Sequence, residues 1–181
     1  YLISETLGAT LDLGDGAKTI LSDVSDVMGA KRGSLWVYEE EDDQLYLCAQ
    51  VGDEGREGPL RSDDPDAVTS MVFRDGQAII GSRPATEPDA GGADDSFLSV
   101  PIRYAPASGE SRTVGVVNLF GREDGGRFSA AHQRLLAAIA SQIGAALENH
   151  RLVVLSLSKE RMAKEMELAR DLQMKLLPAA D

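Results

Sequence analysis

Hydrophobic residues along this chain change their spacing from one stretch to the next, and each change marks an element. Ile20, Leu21, Val24, Val27 and Met28 recur at three- and four-residue intervals, so residues 1–29 are expected to be helical. Gly29 is the expected stop, and Gly14-Asp15-Gly16 is expected to divide the stretch into two helices. From residue 33 the aromatic and aliphatic content favours extended backbone, in GSLWVYEE (33–40) and QLYLCAQVG (44–52). EEEDD (39–43) falls between the two, which predicts a hairpin with an acidic tip. The run lacks the spaced ligands and internal glycine of a calcium loop, and a solvated tip is expected.

Residues 53–64 form a Gly- and Asp-rich loop. Pro65 and Asp66 are expected to open a short helix over 66–75, ended by Asp75-Gly76. AIIGS (78–82) reads as a strand, and 82–96 as a long loop, of a length that is either a lid or simply mobile. FLSVPIRY (97–104) and TVGVVNLFGR (113–122) are two more strands. Pro101 predicts an edge or bulge position in the first.

The last pattern is the longest. Ser129 is the expected N-cap of a helix, and Leu135, Leu136, Ile139, Ile143 and Leu147 follow at helical spacing. Gly144 is the lone glycine inside, and no proline interrupts until Pro178. From Ala130 to Leu177 such a helix would run about 72 Å, so its second half must project beyond a small domain. Within that half Leu155, Met162, Ala169 and Leu176 recur every seven residues, and Leu172 takes an intervening position. Ser158 and Glu165 hold the other two intervening positions, an imperfect heptad seam. It predicts a parallel homodimeric coiled coil weak enough to switch. The alternative is a single helix folded back on its own domain.

Composition narrows the setting. The chain has 181 residues and a net charge of −12, enough for one domain and an extension. It opens on Tyr1 rather than Met, as a piece of a longer protein would. Residues 39–95 hold sixteen acids and four arginines, the whole of the imbalance. Such a surface repels phosphate backbones and anionic lipid, so neither nucleic acid nor membrane contact is expected. Cys48 is the single cysteine; no internal disulfide can form, and a reducing cytoplasm is the expected setting.

The order of elements, carried by VMGAKRGSLWVYEEEDDQLYLCAQVG, FLSVPI, TVGVVNLFG and FSAAHQRLLAAIASQIGAALENHRL, resembles a GAF domain over residues 1–152. The resemblance implies an α/β fold, with an antiparallel sheet flanked by helices and a long C-terminal signalling helix at 153–181. Glu165, Ala169, Gln173, Leu176, Leu177 and Pro178 are similar to the E-x-x-x-A-x-x-x-Q-x-x-L-L-P segment that enters SpoIIE-like protein serine/threonine phosphatases. This implies a sensor that controls a C-terminal phosphatase acting on a phosphoprotein, such as an anti-sigma-factor antagonist. The paired aspartates for its manganese or magnesium would lie beyond residue 181. The alternative is a GAF sensor for another output, such as a histidine kinase, although the helix has no His-Glu dimerisation box.

Resemblance to ligand-binding GAF domains places Ser34, Val68, Thr69 and Asn118 at positions that touch ligand. Trp36 shares the Ser34 face by strand alternation, and a small planar polar ligand would suit the group. The alternative is a filled core whose polar groups are bonded internally, leaving a dimerisation spacer without ligand. The cyclic-nucleotide pattern of Asn-Lys, Phe and Asp-Glu is met only at Phe128; Gly121-Arg122 and His132-Gln133 replace the rest. Tetrapyrrole attachment would need a cysteine after the long loop, and Cys48 lies before it. His132 and His150 are expected to be exposed rather than to ligate a metal. One cysteine cannot run reductase chemistry, no G-x-S-x-G is present, and no catalytic constellation is found in this chain.

Overall fold

The computed structural model describes residues 14–52, 58–83 and 95–176. It contains a curled six-stranded antiparallel sheet with helices on both faces. In chain order the elements are α1 (Gly14–Met28), β1 (Ala30–Glu39), β2 (Gln44–Val51), β3 (Leu60–Arg61), α2 (Val68–Asp75), β4 (Ile79–Arg83), β5 (Asp95–Tyr104), β6 (Arg112–Arg122) and α3 (Ala130–Leu176). Across the sheet the strands stand in the order β3-β2-β1-β6-β5-β4. β1 and β6, the two central strands, are thus far apart in sequence and paired in space.

The two faces are set by alternation along the strands. Leu35, Leu98, Val100, Ile102, Val117 and Leu119 meet Leu21, Val24 and Met28 of α1 and Leu136 and Ala140 of α3 in the main core. The opposite face carries Trp36 and Leu45, packed with Leu60 of β3, Ala67 just before α2, and Phe73 of α2. α2 therefore acts as a lid on a second, smaller core.

Several boundaries differ from those expected, each for a local reason. Gly14 and Gly16 are the first residues of α1 rather than a turn; any helix before them lies outside the described residues. Gly29 ends α1 with φ 65°, and β1 starts at once because Ala30 pairs with Arg122. Pro65-Asp66 form a turn before α2, where the Asp66 N–H donates to Asp64 Oδ1 at 2.9 Å, and helix begins only at Val68. Gly76 closes α2 in the left-handed region, its N–H donating to Val72 O at 2.9 Å. β3, two residues long, sits in the expected loop 53–64 and pairs with β2. β4 and β5 narrow the loop 82–96 by pairing Ser82 with Ser96 and Arg83 with Asp95; residues 84–94 lie outside the described set. Pro101 stands past the last β4 partner, Ser99, where β5 has a free edge, and near a register shift at Ile102/Arg103.

Ser129 caps α3 as expected, with an added reciprocity. The His132 N–H donates to Ser129 Oγ at 3.4 Å, and the Ser129 N–H donates to His132 Nδ1 at 2.9 Å. The imidazole thus takes the role that Glu fills in a capping box.

Candidate functional site

The strand register brings the sequence-selected polar residues together. Ser34 stands opposite Asn118 and Trp36 opposite Val116 between β1 and β6. Asn118 is in turn opposite Ser99 on β5. All four polar side chains therefore lie on the face beneath α2. Asn118 is the hub. Its Nδ2 donates to Ser34 Oγ at 3.2 Å and to Thr69 Oγ1 at 3.0 Å. Its Oδ1 accepts from Ser99 Oγ at 2.5 Å, and Trp36 Nε1 donates to Ser34 Oγ at 3.2 Å.

This cluster satisfies a chemical requirement. A buried amide needs partners for its donors and its acceptor, or it pays a desolvation penalty. Asn118 finds them on β1, β5 and α2, so one side chain ties three elements together. Thr69 is only half-buried and sits in the first turn of α2, next to half-buried Val68. Its hydroxyl is the member of the network that a ligand could most readily replace. Ser99 was not singled out from the sequence; its signal was position, two residues before Pro101 and on the same strand face.

The hairpin tip is not wholly left to solvent. Asp43, at φ 54°, accepts from Tyr38 OH and from Ser62 Oγ, both at 2.7 Å, and Tyr46 OH donates to Asp42. The bond from Ser62, and then that from Tyr38, holds the Asp43 carboxyl below its usual range. Burial, then donation to Asp43, pushes the Tyr38 phenol up to about 12. Burial also pushes the Cys48 thiol up to about 11, which leaves it protonated and a poor nucleophile at neutral pH. His132 and His150 are half-buried rather than exposed. Among the described residues no group of three His, Cys, Asp or Glu side chains could hold a metal ion.

A second polar cluster lies where α3 leaves the domain. Leu136, Ala140, Gly144 and Glu148 stand four apart on one stripe of α3, and all are buried. At Gly144 a Cβ would come within 2.8 Å of the Arg103 carbonyl oxygen, so only glycine lets α3 lie this close to β5. Glu148, 5% exposed, accepts from Arg112 at 2.6 Å and from Arg151 at 3.3 Å. Arg151 reaches on to Glu40 at 3.4 Å. The chain of charges joins helix, sheet and hairpin at one point. Sequence reasoning missed it, although Glu148 continues the buried four-residue stripe.

Beyond that root every described residue from 159 to 176 is exposed. Met162, Ala169, Leu172 and Leu176 are therefore uncovered, and the helix does not fold back on the described residues. Leu155 is half-buried and Ser158 buried. Sequence reasoning passed over Leu152 and Met174, and also Met166, which is 72% exposed. No helix among the described residues is long and apolar enough to cross a membrane.

Comparison with known proteins agrees with this architecture. No curated protein matches the sequence. The GAF domain of a phosphoenolpyruvate-protein phosphotransferase from Acinetobacter superposes with a TM-score of 0.62 at 16% identity, covering 84% of this chain and 94% of that one. A segment of a methyl-accepting chemotaxis protein gives 0.59 at 18% identity, covering 84% and 98%. A type II free methionine-R-sulfoxide reductase from Thermoplasma acidophilum gives 0.59 at 16%, covering 78% and 96%. At such identities the likeness is one of fold. The family model described as "GAF domain" matches residues 10–148, most of the chain. This chain belongs to the GAF domain family, whose members are generally regulatory and sensory modules of signalling proteins.

Proposed function

We propose that this chain is the sensory and dimerising part of a cytoplasmic signalling protein, and that α3 transmits its state to a C-terminal SpoIIE-like, metal-dependent protein serine/threonine phosphatase. The observation that carries the reading is α3 itself. Its first half is locked to the sheet at Gly144 and Glu148, and its second half projects with apolar side chains in water. A lever fixed at one end transmits what happens at that end. The fold does not select the output, since it also occurs in a phosphotransferase and a chemotaxis protein. The phosphatase reading rests on the pattern from Glu165 to Pro178. Manganese or magnesium would then be bound beyond Asp181, and the substrate would be a phosphoserine or phosphothreonine protein. The test is phosphate release from such a phosphoprotein by the protein extended past Asp181, with and without manganese. Activity that depends on metal supports the reading; kinase activity instead contradicts it.

The ligand site we propose is formed by Ser34, Trp36, Val68, Thr69 and Asn118. A small planar molecule with one donor and one acceptor would exchange for the Thr69 hydroxyl at Asn118 and shift α2 outward. Trp36, the only tryptophan, reports this directly through its fluorescence. The second reading is a dimerisation spacer without ligand, favoured by the internally closed hydrogen bonds of Asn118. A screen of nucleotides and aromatic acids decides: a saturable change at Trp36, lost in Thr69→Val, supports the sensor, and none supports the spacer.

A further inference from the structure

The row Leu155, Met162, Ala169, Leu176 can be completed into a two-stranded seam in two ways. One adds the residues three positions on, Ser158, Glu165 and Leu172. The other adds those three positions back, Leu152, Lys159, Met166 and Gln173. We propose that the occupant of this face is a second copy of the chain, parallel and in the second register; the inference rests on the dimeric reading above and specifies its geometry.

Burial gives the first reason. Ser158 is 6% exposed within a single chain, so the first register is blocked at its opening position. Leu152 and Met166 in the second register are 52% and 72% exposed and available. In the first register Glu165 would also stand against its own copy inside the seam, two like charges removed from water. The second register puts Lys159 at an inner position. Its long stem can lie along the apolar seam while the ammonium reaches water, and a single lysine there fixes register at some cost in stability.

Charge gives the second reason, and it also sets the direction. In the second register Glu165 takes position g and Arg170 position e, five residues on. A parallel partner then places Glu165 beside Arg170 of the other helix, twice by symmetry. In the first register the corresponding pairs are Arg161 with Met166 and Leu168 with Gln173, and neither is ionic. An antiparallel partner would bring g against g and e against e. Between residues 156 and 173 position g holds Ser158, Glu165 and Leu172, and position e holds Ser156, Ala163 and Arg170. Neither set contains a complementary pair. Leu157, Leu168 and Met174 lie off this seam and stay exposed in the pair.

Site-specific oxidation tests the register. In a Cys48→Ser background, Met166→Cys would lie at an inner position, close enough to its copy for a disulfide, and Leu172→Cys at a flanking one. Under mild oxidant Met166→Cys is expected to cross-link about tenfold faster than Leu172→Cys, because the bridge tolerates Cα separations only to roughly 7 Å. Glu165→Lys should weaken the dimer, and Arg170→Glu added to it should restore the dimer. Faster cross-linking at position 172, with a dimeric mass by light scattering, overturns the register while leaving dimerisation intact. A monomeric mass with no cross-link at either position overturns both.

Discussion

Arg112 on β6 donates to Glu148 on α3 at 2.6 Å, and this contact marks the place where the helix stops being part of the core and becomes a lever. The Glu148 side chain is buried while about half of the Arg112 side chain is exposed to water. Removing Arg112 leaves Glu148 with Arg151 alone. Arg112→Ala should destabilise the domain by about 1–2 kcal/mol, below the usual cost of breaking a fully buried pair because Arg112 is partly solvated and Arg151 remains. Urea denaturation followed at Trp36 measures this, and no change in midpoint would show that the pair does not anchor α3.

Gly144 gives a prediction of opposite sign to helix propensity. In a free helix Gly→Ala stabilises by about 1 kcal/mol. Here the new Cβ would meet the Arg103 carbonyl oxygen at 2.8 Å and Ile102 Cγ2 at 3.2 Å. Gly144→Ala should therefore lower stability by about 1–3 kcal/mol, the usual range for overpacking. A higher melting temperature in this variant would contradict the close approach of α3 to β5.

Asn118→Ala should cost about 2 kcal/mol, since it strands the buried Ser99 hydroxyl and leaves Ser34 with Trp36 alone beneath α2. If a ligand replaces the Thr69 contact, its affinity should fall in the same variant. Thermal denaturation with Trp36 fluorescence reads both effects.

Much of this architecture was legible in the sequence. Alternation in 33–40 and 113–122 put Ser34 and Asn118 on definite strand faces, and glycines at 29 and 76 marked real helix ends. The pairing of β1 with β6, which joins those faces, depends on contacts between residues some eighty positions apart. β3 escaped notice because two residues show no periodicity. Glu148 escaped because a carboxylate on a helix normally reads as solvated surface; only the packing of α3 shows it on the buried stripe. The seam register was likewise hidden, because the burial of Ser158 is a property of the fold.

Asp43 provides a pH test with a defined sign. Its folded-state pKa is lowered first by the hydrogen bond from Ser62 and then by that from Tyr38. The contribution is thus present above the ordinary value of 3.8 and is lost as pH falls through the lowered folded value. An NMR titration of the Asp43 carboxyl should show a midpoint below 3.8. Ser62→Ala should raise that midpoint; an unchanged one would contradict the bond.

The mass of the chain in solution tests the central claim most directly, that α3 joins two copies through its projecting half. Light scattering at micromolar concentration should give twice the 19.3 kDa of one chain. Met162→Asp, which disrupts the seam in either register, should return it to a single chain with the domain still folded. A wild-type protein that stays at 19.3 kDa across that range would contradict the account.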